Sequence, residues 1–299
     1  MTTATATATS KAIELKNILF ATDFSPAAVA AFPYAVAFAE EFGAKLYAVH
    51  AKTPENYALP ATEVWPIANA QLERDTADLK RTLQQLQPKV ETEVIIAEGG
   101  VTAVVEMIAE EKKADLIILG TSGRRGIGKF ILGSVAEEVL RRATCPVLTV
   151  GPHVAISAPH EKKFRKILYA TDFSETTPLA VAYAIGLAHE HAAHLTLLHV
   201  VEHAKAGELV MPQELEAAAI NRLNLYVEHE PGLAFPPKVL VLHGAPADKI
   251  LEVARKEGAE LIVLGVRKNS DTLRATHLPA AVAHKVISEA ACPVLTIRA

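Results

Sequence analysis

One stretch of this chain occurs twice, and that constrains the fold more than any other feature. Lys16-Asn-Ile-Leu-Phe-Ala-Thr-Asp-Phe-Ser25 returns as Arg165-Lys-Ile-Leu-Tyr-Ala-Thr-Asp-Phe-Ser174. Ala114-Asp-Leu-Ile-Ile-Leu-Gly120 returns as Ala259-Glu-Leu-Ile-Val-Leu-Gly265, and Thr144-Cys-Pro-Val-Leu-Thr-Val150 as Ala291-Cys-Pro-Val-Leu-Thr-Ile297. Three matches in one order and at nearly equal offsets mean an internal duplication. The chain of 299 residues is long enough for each copy to bury its own core.

The copies divide the chain. Residues 1–14 begin as an Ala/Thr tract without a charged start or an apolar middle, which is read as a disordered tail and not a leader. The first domain is expected over 15–151 and the second over 164–299. Residues 152–163, with Pro152, Pro159 and Lys162-Lys163, are read as a linker.

Within each copy, short β-branched runs alternate with longer helical patterns. In the first these runs are Asn17–Thr22, Lys45–Ala51, Val90–Ala97, Leu116–Gly120 and Val147–Val150. Such alternation builds right-handed βαβ units, so the expected class is α/β with an open parallel sheet and helices on both faces. Ser25-Pro26 reads as a helix start and Gly43 as its stop, while Pro33 inside should kink or break the helix.

In an open parallel sheet, ligands bind beyond the carboxyl ends of the strands where the winding reverses. After the first strand comes Thr22-Asp23-Phe24-Ser25. After the fourth comes Gly120-Thr-Ser-Gly123-Arg-Arg-Gly-Ile-Gly-Lys-Phe-Ile-Leu-Gly133-Ser134, leading into a helix over Val135–Arg142. A strand, a glycine-rich loop and a helix N-terminus together favour an anion, because backbone N–H groups approach it and the helix end is partly positive. Ser134 can cap that helix or offer its hydroxyl to a phosphate. Arg124, Arg125 and Lys129 either neutralise a polyphosphate or form a solvated basic loop. Gly123 to Phe130 spells a near miss to the P-loop, but Phe130 replaces the magnesium-binding hydroxyl and the loop follows the wrong strand.

The spacing that fits is G-x2-G-x9-G-S, over Gly120, Gly123, Gly133 and Ser134. With the Ala-Thr-Asp-Phe-Ser opening and the Cys-Pro-Val-Leu-Thr close, each half resembles the universal stress protein family. That resemblance implies tandem five-stranded sheets of order 3-2-1-4-5 and, where the glycine motif is intact, ATP binding, with Mg2+ left open. It implies that Asp23 meets the adenine and ribose side and that Ala51, at the end of the second strand, contacts adenine through its backbone. Gly120, Gly123, Gly133, Ser134 and Val135 would hold ribose and phosphates. Asp23 also reads as an ordinary helix-start or turn residue, and both roles can coexist. The resemblance further implies pairing through the last strands, here within one chain as a pseudo-dimer, with association into a homodimer open.

The second half departs from this pattern. It keeps Asp172 and Gly265, and Val200 stands where Ala51 does. Counted back from Cys292, however, Gly133 and Ser134 correspond to Ala280 and Ala281, and no glycine matches Gly123. Side chains replace the backbone approach, so this half is expected to bind ATP weakly or not at all. Arg267, Lys268 and Arg274 could hold another anion or form a solvated loop.

His189, His191 and His194 cluster in His-Glu-His-Ala-Ala-His; no acidic or cysteine framework accompanies them, so an exposed polar helix end is expected over a metal site. His50 and His199 occupy matching positions, which favours a structural role. Residues 52–66, with Tyr57 and Trp65, form a long connection that either folds over adenine as a lid or packs on the other half. No triad or paired carboxylate can be assembled from spacing, so no catalytic residue is assigned. Net charge of −4 without a basic run disfavours nucleic acid. No apolar run reaches the roughly 20 residues that span a membrane. Cys145 and Cys292 are read as reduced, buried residues of a cytoplasmic protein. Three functions compete: an ATP-dependent stress sensor or regulator, a slow ATPase or autophosphorylating protein, and an interaction module without nucleotide.

Overall fold

The computed structural model of the chain describes residues 13–52, 73–121 (except 75, 82 and 85–87), 132–155, 163–202, 212–266 (except 229 and 231) and 279–298. The chain falls into two compact units. One comprises Glu14–Lys162 with Ile287–Thr296, and the other is built on Lys163–Val286.

In the first half the elements run β1 (Asn17–Ala21), α1 (Pro26–Phe42), β2 (Lys45–Lys52), β3 (Thr92–Glu98), α2 (Val101–Glu111), β4 (Leu116–Gly120), α3 (Ser134–Arg142) and β5 (Val147–Val150). Residues 76–81 are also helical. The strands lie in the order β3-β2-β1-β4-β5, and each neighbouring pair is parallel. The second half repeats the plan with β6 (Lys166–Thr171), α4 (Thr177–Glu190), β7 (His194–Val201), α5 (Pro212–Val227), β8 (Lys238–His243), α6 (Pro246–Glu257), β9 (Leu261–Val266), α7 (Pro279–Glu289) and β10 (Val294–Arg298). Its strands β8, β7, β6 and β9 are again mutually parallel neighbours. The expected α/β class is therefore the observed one.

The last strand, β10, runs antiparallel beside β5, with Leu295 opposite Leu148. Two buried threonines tie this pair together: Thr149 Oγ1 donates to the Val294 carbonyl and Thr296 Oγ1 to the Val147 carbonyl, each at 3.1 Å.

Central strands are apolar along their whole length because helices cover both faces. Ile18, Leu19 and Phe20 of β1 and Ile117 and Ile118 of β4 are all but fully buried. Helix α1 turns an alanine face inward: Ala31, Ala35 and Ala39, one turn apart, have no exposed surface. Small residues let the helix axis come close to the sheet. At one end, Ser25 Oγ accepts the Ala28 N–H and Pro26 stands in the first turn; at the other, Gly43 takes the left-handed conformation (φ 61°) and its N–H returns to the Ala39 carbonyl. Pro33 does not break the helix, which continues to Phe42. It costs one backbone hydrogen bond, and its ring is buried with the helix's apolar side.

The repeated Ala-Asp and Ala-Glu pairs act at the amino ends of the strands. Asp115 Oδ2 accepts the N–H groups of Lys16 (2.8 Å) and Asn17 (2.9 Å), and Glu260 accepts that of Arg165. These carboxylates seat the start of β1 and the chain entering β6, far along the strands from the carboxyl-end turns.

Candidate functional site

The winding reverses between β1 and β4. From β1 the chain passes through α1 to β2 on one side, and from β3 it returns through α2 to β4 on the other. The turn after β1 and the loop after β4 thus leave the sheet side by side, as the register of Ala21 with Leu119 requires.

The β1 turn is held by its own side chains. Thr22 Oγ1 accepts the Phe24 N–H at 3.1 Å, and Asp23 Oδ1 accepts the Ser25 N–H at 2.9 Å. Between them Phe24 adopts φ 61°, a left-handed conformation that a bulky residue takes only when its surroundings impose it. The imposing partner is His50 at the end of β2. Its ring lies 4.8 Å from that of Phe24, and its Nδ1 is 2.8 Å from the Thr22 carbonyl. A carbonyl only accepts, so Nδ1 carries the proton. Asp23 is consequently a turn residue here, while the helix cap is Ser25.

Beyond β4, Thr121 is buried, its N–H donates to the Val150 carbonyl, and its own carbonyl accepts the Gly133 N–H at 2.8 Å. The chain thereby returns to the strand end before entering α3. Helix α3 begins at Ser134, one residue earlier than expected, and its N-cap is Gly133, which has no side chain to cap with. Ser134 therefore does not cap the helix. It stands exposed at the first helical position, next to a cap residue that offers the first-turn N–H groups no side-chain acceptor. Val135 follows it in the same turn. Ala51 also differs slightly from expectation: it lies inside β2, paired with Ala97, one residue before the strand ends. Gly123, Arg124, Arg125 and Lys129 lie outside the described residues, as do 53–72 and Arg267, Lys268 and Arg274.

Gly120 has a packing reason of its own. A Cβ there would fall 2.4 Å from the Ala27 carbonyl carbon and 2.6 Å from the Ala28 nitrogen, so α1 can cross β4 only over a glycine. Gly265 repeats the requirement: a Cβ there would meet Thr176 Oγ1 at 2.3 Å. This close crossing explains why the glycine persists in the half that lost the rest of the motif.

The turn of the second half is a near replica. Thr171 Oγ1 accepts the Phe173 N–H and Asp172 Oδ1 the Ser174 N–H, both at 2.9 Å; Phe173 has φ 58°, and His199 Nδ1 donates to the Thr171 carbonyl at 2.8 Å. Burial lowers the His199 pKa below its ordinary value. The matching histidines are thus structural partners of the turns. Their stacking on a strained Phe was legible only as a His recurring with Asp-Phe-Ser.

The helix-end histidines do not form one group. His194 stacks on Phe235 at 3.7 Å, and His189 lies 4.0 Å from Glu230. His191, expected to be exposed, is buried edge-on against Phe164. Burial, with nearby Lys163, pushes its pKa down to about 4. The reason is chain direction: His191 ends α4, where the chain turns inward to start β7. Among the described residues no cluster of metal-binding side chains occurs, and no helix is long and apolar enough to cross a membrane. Both cysteines are free thiols, Cys292 buried and Cys145 half-buried with its pKa pushed up to about 12 by burial.

Comparison with known proteins identifies the family and the fold. A universal stress protein of Methanocaldococcus jannaschii is 35% identical over 140 residues, covering 45% of this chain and 81% of that one. One of Mycobacterium tuberculosis is 27% identical over 203 residues, 66% of each chain. The crystal structure of a universal stress protein from Archaeoglobus fulgidus shares the fold, with a TM-score of 0.72 over 95% of this chain and 97% of that one at 19% identity. The model of the universal stress protein family matches residues 14–151 and again 163–298, so the chain belongs to that family and carries its domain twice.

Proposed function

We propose that the protein is an ATP-binding stress-response sensor or regulator with one nucleotide site, in the first half. The observation that carries this reading is the pairing of the Asp23 turn with the N-terminus of α3, whose cap residue is Gly133, across the reversal point. A nucleotide needs both ends. Adenine and ribose would lie toward Asp23 and the Ala51 backbone. The phosphates would take the first-turn N–H groups of α3, Ser134 and Val135 among them, with Gly133 allowing close approach. Gly123 would complete the cradle, and Arg124, Arg125 and Lys129 would neutralise charge; Mg2+ would accompany the phosphates and supply further charge. The second half kept the turn and lost the cradle, as Ala280 and Ala281 replace Gly133 and Ser134.

The antiparallel register of β10 on β5 supports the reading that the two last strands pair within one chain. The test of the site is calorimetric titration of the full chain with ATP. One equivalent should bind, and Gly133→Val should abolish it, because a β-branched side chain would stand where phosphate approaches. Wild-type protein that takes up no ATP would refute the reading. A metal-dependent hydrolysis rate well above background, lost with Ser134→Ala, would instead make the protein an enzyme.

A further inference from the structure

Phe173 in the second half is held from two directions. The His199 ring lies 4.3 Å away, tilted by 32°, and the Arg222 guanidinium carbon lies 4.5 Å from the Phe173 ring centroid. Arg222 Nη2 also donates to the Phe173 carbonyl at 3.3 Å. Arg222 belongs to α5, the helix between β7 and β8, whereas Phe173 follows β6. Its side chain therefore reaches across the carboxyl end of β7 to the turn after β6. That is the ground a nucleoside would occupy between Asp172 and the Val200 backbone.

A guanidinium is planar, delocalised and rich in donors, and it stacks on aromatic faces. A purine ring is likewise planar, stacks on aromatic faces and carries hydrogen-bonding groups at its edge. We propose that Arg222 is an internal occupant of the nucleoside position in the second half. It thereby decides that the chain takes up one adenine nucleoside and not two. This inference rests on the reading above of where a nucleoside lies. The ligand class excluded is a purine nucleoside without phosphates, since this half lacks the glycine cradle that phosphates need. An occupant that covers the position nine-tenths of the time weakens apparent affinity about tenfold. Arg222 is exposed, so its removal leaves the core untouched.

The experiment uses the full chain with adenosine as the probe, in an Asp23→Ala background that weakens binding in the first half. Equilibrium dialysis compares Asp23→Ala with Asp23→Ala/Arg222→Ala and Asp23→Ala/Arg222→Gln. Both Arg222 variants should bind adenosine about tenfold more tightly than the background, and adding Asp172→Ala should reverse the gain. Variants with wild-type circular dichroism that bind no more tightly than the background would overturn the proposal. So would a gain that survives Asp172→Ala. Failure of the one-site reading appears elsewhere, as wild-type protein that does not bind ATP, and leaves this comparison intact.

Discussion

Gly120 and Ala27 stand so close that a Cβ on the glycine would lie 2.4 Å from the Ala27 carbonyl carbon. The corresponding clash at Gly265 is with the Thr176 side chain, at 2.3 Å. Backbone cannot yield without moving α1, whereas a threonine can change rotamer. Gly120→Ala should therefore destabilise the fold by about 2 kcal/mol or more, and Gly265→Ala by about 1 kcal/mol. Urea denaturation measures both. Equal costs would show that the crossing of α1 over β4 is not the tighter constraint.

Asp23 has a turn role that can be separated from a ligand role. Its Oδ1 accepts the Ser25 N–H, and an asparagine oxygen can do the same. Asp23→Asn should keep stability within about 0.5 kcal/mol, while Asp23→Ala should lose about 1 kcal/mol. Against ATP both should bind at least several-fold more weakly if the charge meets ribose. Undiminished ATP affinity in Asp23→Asn would confine this residue to the turn.

Acid should weaken the second unit through His191. Its pKa is about 4 in the folded chain against the ordinary imidazole value of 6.5, so between those values the unfolded chain binds the extra proton. The contribution is fully present above pH 6.5, is lost as pH falls toward 4, and is constant below. Its size is on the order of 3 kcal/mol. His199, lowered in the same direction by burial, adds to the slope. His191→Leu should flatten the fall in melting temperature between pH 6.5 and 4, and an unchanged slope would count against a buried neutral imidazole.

Thr149 and Thr296 make reciprocal hydrogen bonds from buried hydroxyls to the facing strand. Valine is nearly the same shape and lacks the donor. Thr149→Val and Thr296→Val should each cost about 1 kcal/mol. Because the two bonds share one short pair of strands, the double variant should depart from additivity. Denaturation of the four proteins forms the cycle, and strict additivity would show the two bonds to be independent.

The α/β class, the duplication, and the start and end of α1 were readable from residue order. Each depends on local chemistry: strands apolar along their length, Ser25 before Pro26, and Gly43 where only a left-handed residue fits. The strands Leu116–Gly120 and Val147–Val150 were read at their observed ends. The start of β3 was misplaced by two residues, because Val90 is as β-branched as the strand it precedes. In the site, Asp23, Gly133 and Ser134 stood out by spacing, but the capping role of Ser134 did not survive. Whether a residue caps a helix depends on where the backbone turns, and Gly133 turned it one residue earlier.

Residue order alone determined that two copies of one domain are joined and that only the first has the glycine spacing of Gly120, Gly123 and Gly133. Spacing and residue type suffice for that, because a missing glycine is missing in any conformation. Tertiary structure decided what the retained residues do. Gly120 lies where the α1 backbone crosses too closely for a Cβ, and Gly265 where the Thr176 side chain packs against the strand. Phe24 and Phe173 accept a strained backbone because His50 and His199 hold them. His191 is buried because the chain turns inward there, and Arg222 lies over Phe173. These are contacts between residues far apart in sequence, and no local propensity records them.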